Sequence, residues 1–189
     1  KLEFLIILCC RKGKKKMKIV KFKGGLGNQL FQYVFFRRLG ILYNEDVKAD
    51  FSYYKNNRDN KIKVPKIFKF RVNIDCATDE ELNNILHLGT NNNQSSLKYK
   101  IKIFIEKTIN KKYFFEKNRS FIDVSSIIDY VYFDGYWQSY KYLRGIEDFI
   151  INELNLKEPL SKSARNMIES FKNENSVFIG KRFGDYLSK

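Results

Sequence analysis

The hydrophobic pattern at the start of the chain predicts a strand, a helix and a second strand. The segment MKIVKF, residues 17–22, is β-branched and aromatic and ends at a glycine, as a buried strand does. The apolar residues that follow are three, one, four and three positions apart, which indicates one face of an α-helix; they are Phe31, Val34, Phe35, Leu39 and Leu42. The segment DVKADFSYY, residues 46–54, predicts another strand. This order is a βαβ unit, from which parallel sheets are built.

Two further elements are predicted in the middle of the chain. In TDEELNNILHL, residues 78–88, Thr78 is followed three positions later by Glu81 and then by spaced apolar residues. This is a capping box in front of an amphipathic helix. The segment YVYFDGYW, residues 130–137, predicts a strand that breaks at Gly135. Helix and strand thus continue the alternation that is typical of an α/β protein.

The last third of the chain predicts two helices and a strand. Residues 139–156 carry an apolar helical face made of Leu143, Ile146, Ile150 and Leu154. Pro159 ends this helix, and Ser161 caps a final helix whose apolar side is made of Ala164, Met167, Ile168 and Phe171. The segment SVFIG, residues 176–180, then predicts a short buried strand before a polar turn.

Three of the chain's ten glycines fall within four residues of the segment FKGGLGNQLFQY, residues 22–33. One interpretation is a tight strand-to-helix turn in which Asn28 is the N-cap. The other is a phosphate-binding loop, because glycines allow close approach of the backbone and a helix start attracts anions. Asn28 and Gln29 would add amide donors. The spacing matches neither the dinucleotide fingerprint nor the P-loop.

Two later segments are also candidates for binding. Tyr136, Trp137 and Gln138 combine flat rings with an amide, which suits the face and hydroxyls of a sugar; the alternative is that the rings belong to the core. In GKRFGDYL, Arg182 and Asp185 follow a predicted strand, at the edge where open α/β sheets bind ligands. Arg182 could hold a diphosphate, and the alternative is a surface ion pair.

The formal net charge is +15 and is concentrated at the start, where residues 1–23 hold nine Lys or Arg and one Glu. Such a surface attracts nucleic acid, phosphorylated small molecules or acidic lipids. Abundant Lys, Asn, Ile, Phe and Tyr are also what A/T-rich codons produce, which explains the charge without any partner. We interpret residues 1–16 as an upstream extension before a natural start at Met17. The apolar stretch in residues 1–16 is too short to span a bilayer by itself. The alternative is therefore the end of a truncated membrane anchor with a basic flank.

Cysteine and histidine content excludes several classes of site. Cys9, Cys10 and Cys76 lack metal-ligand spacing and form no disulfide framework, so a reducing compartment is expected. His87 is the only histidine in the sequence and supports no Ser-His-Asp or Cys-His arrangement.

Three segments in order, GGLGNQLFQY, GYWQSYKYL and RFGDYL, resemble glycosyltransferase family 11, the α-1,2-fucosyltransferases. That family has G-G-L-G-N-Q-[ML]-F-Q-Y after its first strand, G-Y-W-Q-S near its middle, and a strand that ends in H-x-R-R-G-D-Y. The resemblance covers Met17 to Leu187. It implies an α/β fold in which the chain supplies the Rossmann-like N-terminal lobe of a two-lobe, GT-B-like glycosyltransferase. Residues 1–16 would be the extension, 17–175 this lobe with acceptor-side segments, and 176–189 the first strand and turn of the donor-binding lobe.

The resemblance also implies the reaction and its site. Fucose would pass from GDP-fucose, with inversion, to the 2-hydroxyl of a terminal galactose, without a metal or other cofactor. The implied donor-binding residues are Gly24, Gly25, Gly27, Asn28, Gln29 and Arg182. The implied catalytic residues are Arg182 and Asp185, and the implied substrate-binding residues are Tyr136, Trp137 and Gln138. The expected partners are GDP-fucose and a galactose-terminated glycan, and no nucleic acid. A cytoplasmic location is expected, with peripheral association with the inner membrane of a bacterial-type cell as a further expectation.

The chain departs from the family pattern in its last motif. Gly180 stands in place of the motif histidine and Phe183 in place of its second arginine. The sequence stops at Lys189, where family members continue into the second lobe. We therefore expect weak activity at most. A catalytically inactive carbohydrate or nucleotide binder is the first alternative, and a basic nucleic-acid-binding module without a recognisable motif is the second.

Overall fold

A computed structural model describes residues 17–56, 64–86, 112–118 and 120–172, together with residues 175 and 177. The strands in these ranges are β1 (Met17–Lys21), β2 (Asp46–Asp50), β3 (Tyr113–Phe115) and β4 (Tyr132–Asp134). They form one four-stranded sheet in the order β2-β1-β4-β3, and every neighbouring pair is parallel. The α/β class predicted from the sequence is confirmed, and the sheet is compatible with a Rossmann-like lobe.

Helix α1 (Leu26–Tyr43) connects β1 to β2 and packs against one face of the sheet. Its Phe35 ring lies 5.5 Å from that of Phe133 on β4. The buried residues of α1 are Gln29, Gln32, Tyr33, Val34, Phe35, Phe36 and Leu39. The predicted apolar face was wrong at both ends, since Phe31 and Leu42 are exposed by 39% and 45%. Two glutamines take buried positions instead, and a hydrophobicity pattern cannot detect them.

The opposite face of the sheet is covered in part by helix α3 (Asp79–Leu86), whose Leu82 packs with Ile19 and two tyrosines. The predicted capping box is confirmed. Glu81 N donates to Thr78 Oγ1 at 3.1 Å, and Thr78 N donates to Glu81 Oε2 at 2.8 Å. Lys48 Nζ, on β2, donates to Glu81 Oε1 at 2.5 Å and so ties the helix to the sheet.

Two predicted elements are shorter than expected. The strand predicted over residues 46–54 ends at Asp50, because the Asp50 carboxylate accepts from Ser52 N at 2.7 Å and turns the chain into the short helix α2 (Ser52–Asn56). The helix predicted over residues 139–156 is a 3₁₀ turn (Tyr140–Tyr142) followed by helix α5 (Glu147–Glu153). Gly145, with φ of 81°, separates them, since a left-handed residue cannot continue a helix.

Two short elements complete this part of the fold. A 3₁₀ turn (Lys66–Lys69) lies beside α1 and buries Ile67. Helix α4 (Val124–Ile127) precedes β4 and is capped by Asp123, whose side chain accepts from Ser125 N at 3.0 Å.

The chain divides into two compact units after Asn155. In the second unit, helix α6 (Lys162–Lys172) is capped as predicted, with Ala164 N donating to Ser161 Oγ at 3.2 Å. None of its residues is buried. Apart from Val177, the strand predicted at residues 176–180 lies outside the described residues, and the domain boundary at residue 176 stays a prediction. Across the described ranges, no helix combines the length and the apolar character needed to cross a membrane.

Candidate functional site

The three glycines that precede and open α1 differ in what the fold requires of them. Gly24 has φ of 78°, and a Cβ there would lie 2.5 Å from the side-chain nitrogen of Asn28, so glycine is required. Gly25 is the N-cap of α1, which corrects the assignment of that position to Asn28. Gly27 is exposed, and a Cβ there would have no described atom within 4 Å. Nothing in the described fold therefore demands a glycine at position 27.

The start of α1 presents unpaired backbone amides. Gln29 N is the first to bond within the helix, donating to Gly25 O at 3.1 Å. The amides of Leu26, Gly27 and Asn28 have no acceptor in the described part of the chain. Such amides carry about half a positive charge between them and favour an anion. The turn interpretation is confirmed at Gly24, and the same turn offers an anion a place to bind.

Gln29 holds this turn in place from inside the protein. Its side chain is fully buried. Its Nε2 donates to Gly24 O at 2.9 Å, and its Oε1 accepts from Ile67 N at 2.8 Å. The expectation that this amide would be offered to a ligand is wrong, because the side chain is buried and both of its polar atoms already bond to backbone groups.

Two segments that lie more than a hundred positions apart in the sequence meet at this turn. Gln138 Nε2 donates to Asn28 Oδ1 at 2.8 Å. One helical turn further along α1, the fully buried Gln32 bridges the two backbones. Its Oε1 accepts from Lys23 N at 3.0 Å, and its Nε2 donates to Gly135 O at 3.0 Å. The structure thus brings together the glycine turn and the segment 134–138.

The Trp137 ring belongs to the core. It is fully buried, and it stacks on Phe35 with ring centres 3.8 Å apart and planes inclined by 5°. The prediction that Trp137 lies on a sugar-binding surface is wrong. The alternative, that its ring belongs to the core, is correct for this residue. Tyr136, by contrast, is half-buried, and Lys23 Nζ lies 4.7 Å from its ring centre.

The backbone at Trp137 is in a left-handed conformation, with φ of 55°, which is rare for an aromatic residue. A single carboxylate oxygen, Glu116 Oε2, accepts from Tyr136 N at 2.6 Å and from Trp137 N at 3.1 Å. Glu116 Oε1 and Trp137 Nε1 are buried and have no partner among the described residues. Backbone conformations of this kind persist where surrounding contacts enforce them, and they cluster at functional sites.

Charged residues form a row across the carboxyl edge of the sheet, which we call the polar row: Asp50, Lys21, Asp134 and Lys23. Lys21 pairs in register with Asp50, and its Nζ donates to Asp134 Oδ2 at 3.2 Å. Lys23 Nζ donates to the other oxygen of Asp134. Asp50 Oδ2 accepts from the hydroxyl of Tyr132 at 2.6 Å. Burial, and then the charge of Asp50, raise the pKa of that tyrosine.

The sequence reasoning missed the polar row, although a signal was present. Lys21, Asp50 and Asp134 are the last residues of three strands, and Lys23 comes two positions after the first of them. The carboxyl ends of parallel strands lie at one edge, so polar residues that end buried strands come close together. None of these residues belongs to a recognisable motif, so no motif in the sequence indicates them.

Arg182 and Asp185 lie outside the described residues, so their predicted roles stay predictions. Within the described ranges no group of three His, Cys, Asp or Glu side chains could hold a metal ion. Comparison of the chain with protein-family models, curated proteins and solved structures gave no match.

Proposed function

We propose that this chain is part of an α-1,2-fucosyltransferase and that it binds the diphosphate of GDP-fucose at the start of α1. The observation that carries the proposal is the meeting of the two described segments on which the resemblance rests. Asn28 and Gln138 share a hydrogen bond of 2.8 Å at the carboxyl edge of a parallel sheet. Ligands of open α/β folds bind at that edge.

Gly27 gives independent support for a ligand at this place. A glycine inside a helix costs about 1 kcal/mol relative to alanine. Gly27 has open space around its Cα in the described structure, so packing gives no reason for it. A close-lying ligand would give one, because the absence of a Cβ lets a phosphate approach the amides of Gly27 and Asn28 more closely.

In the proposed reaction the acceptor hydroxyl attacks the anomeric carbon of fucose, GDP leaves with the electron pair of the broken bond, and the hydroxyl proton is released to the leaving diphosphate or to water. The α1 amides would stabilise the developing charge on the diphosphate, together with Arg182. A preorganised donor of this kind contributes about 3–4 kcal/mol to lowering the barrier in enzymes generally. The departures at Gly180 and Phe183 remove two donors, so we expect slow turnover at most.

Calorimetric titration with GDP tests the binding site, using Gly27→Ala and Gly40→Ala as a matched pair. Both glycines lie in α1, and a Cβ at Gly40 would meet only a backbone oxygen at 3.9 Å. Each variant should stabilise the helix by up to about 1 kcal/mol. Only Gly27→Ala should weaken GDP binding, by about ten-fold or about 1.4 kcal/mol. Equal GDP affinity in both variants would show that the diphosphate does not bind at the start of α1.

Release of GDP from GDP-fucose in the presence of lactose tests the reaction. Release that depends on lactose supports a transferase. GDP binding without release supports the inactive nucleotide binder instead. RNA binding that falls steeply with salt, without any GDP binding, would favour the nucleic-acid module and refute both.

A further inference from the structure

The polar row occupies one face of the sheet, at the edge where three strands end. Phe115 stands opposite Asp134 in the register, so an aromatic ring continues the row onto β3. This is the face opposite α1, because the residues two positions earlier, Ile19 and Tyr132, pack with α3. The row therefore lies on the far side of the sheet from α1, beyond the part that Leu82 of α3 covers.

The row is partly shielded from water. Asp50 is buried, and the Asp134 side chain is 10% exposed. The side chains of Lys21 and Lys23 are 26% and 22% exposed, so their ammonium groups remain reachable. Each of these lysines uses one of its three N–H donors on Asp134. Donors and acceptor lone pairs are therefore both available for a ligand.

The charges of the row sum to zero, with two lysines and two aspartates. An anionic ligand would meet the carboxylate of Asp134, and a cationic ligand would meet the ammonium groups. A ligand with hydroxyl groups can donate to a carboxylate and accept from an ammonium group at the same time. Aromatic rings beside such groups suit the apolar face of a sugar, and Phe115, which is 39% exposed, and the half-buried Tyr136 both lie next to Asp134.

The neighbouring backbone supports a ligand at this place. Asp134 is followed by Gly135, where a Cβ would lie 2.8 Å from both the Glu116 side chain and the Trp137 ring. Glu116 enforces the left-handed backbone of Trp137, which in turn fixes Tyr136. A purely structural strand end needs no enforced conformation of this kind, whereas a binding site needs its side chains held in position.

We propose that the polar row binds an uncharged hexose, the galactose of the acceptor, with Asp134 accepting hydrogen bonds from its hydroxyls and Lys23 donating to them. The identity of the sugar rests on the proposed transferase function. The site itself rests on the register, burial and charge balance of the row. The proposed sugar subsite therefore lies at the carboxyl ends of β1 and β4 and not against the Trp137 ring.

Saturation-transfer NMR with methyl β-D-galactoside tests the proposal on the full chain. Asp134→Asn removes one charge from the row, and Asp46→Asn is the matched control because Asp46 lies at the opposite end of the same sheet and is exposed. Lys23→Met keeps the aliphatic stem and removes the ammonium donor. Asp134→Asn and Lys23→Met should each weaken sugar binding by about ten-fold or more, since each loses a charged hydrogen-bonding partner. Asp46→Asn should bind as the wild type does.

The outcomes separate this inference from the proposed function. No saturation transfer to the sugar from the wild-type chain, or equal transfer in wild type and Asp134→Asn, would overturn the inference. Should Asp134→Asn fail to fold, as judged by Trp137 fluorescence, Lys23→Met decides in the same way. GDP titration of the same samples tests the function separately. Sugar binding that depends on Asp134 without any GDP binding would keep the sugar site and refute the transferase.

Discussion

Replacing Gln32 by methionine should strongly destabilise the protein. Methionine has a similar length and fits the same buried position, but it can neither donate nor accept as the amide does. The change would leave two backbone groups without partners, Lys23 N and Gly135 O, which the Gln32 side chain now bonds at 3.0 Å each. These two groups belong to the two segments that form the candidate site.

The magnitude follows from the burial of these groups. A buried polar group left unpaired costs about 1–3 kcal/mol. The bond to Gly135 O is buried, whereas that to Lys23 N is only partly so, which places the second near the lower limit. Replacing a buried amide by an apolar thioether removes the cost of burying the amide and so restores about 1 kcal/mol of stability. The free energy of unfolding should therefore fall by about 1–3 kcal/mol.

Urea denaturation followed by Trp137 fluorescence measures this change, since Trp137 is the only tryptophan in the sequence and lies in the core. Gln138→Met is the control. Its amide is half-buried and makes one bond, to Asn28, so its loss should cost about 0.5–1.5 kcal/mol. A Gln32→Met variant that is no less stable than Gln138→Met would refute the reasoning, because the bridge between the two backbones would then contribute nothing beyond an ordinary surface contact.

Two further predictions concern carboxylates. Glu116→Ala removes the acceptor that holds the Trp137 backbone, so the free energy of unfolding should fall by about 2 kcal/mol or more and the near-ultraviolet circular dichroism should change. Glu116→Gln keeps an acceptor oxygen and should retain most of the stability and most of the dichroism signal. Equal effects of the Ala and Gln variants would contradict this. The hydrogen bond from Lys48 holds the pKa of Glu81 below its usual range. This contribution to stability is complete above the unfolded pKa of about 4.3 and is lost as pH falls through the lower folded value. Lys48→Gln should therefore flatten the acid limb of the stability curve, and an unchanged limb would show that the pair has no role there.

The elements set by local sequence could be predicted, and those set by distant contacts could not. The capping box of Thr78 and Glu81 needs only neighbouring residues, and it is present as expected. The first βαβ unit likewise follows from its hydrophobic pattern. The prediction of one helix over residues 139–156 was wrong because Gly145 takes a left-handed conformation. The spacing of apolar residues gives no sign of that conformation.

The candidate site was only partly predictable for the same reason. Glycine and glutamine identify the turn before α1, but whether a glutamine faces a ligand or the interior depends on what packs behind it. Gln29 and Trp137 were expected to face a ligand, and both are buried by residues distant in sequence. In the sequence, Asp134 is a single polar residue at a strand end and belongs to no recognisable motif. It becomes a candidate site residue only in the fold, where Lys21 and Lys23 lie beside it.

The strand order has a consequence for how the protein folds. Met17 pairs with Asp46 on β2, 29 positions away (17 to 46), whereas Ile19 pairs with Tyr132 on β4, 113 positions away (19 to 132). Closing the longer loop costs about 1.2 kcal/mol more in chain entropy, since each doubling of length adds about 0.6 kcal/mol. The nascent chain can therefore assemble β1, α1 and β2 early, while the edge that carries Asp134 is completed only when β4 pairs with β1, which was made long before it.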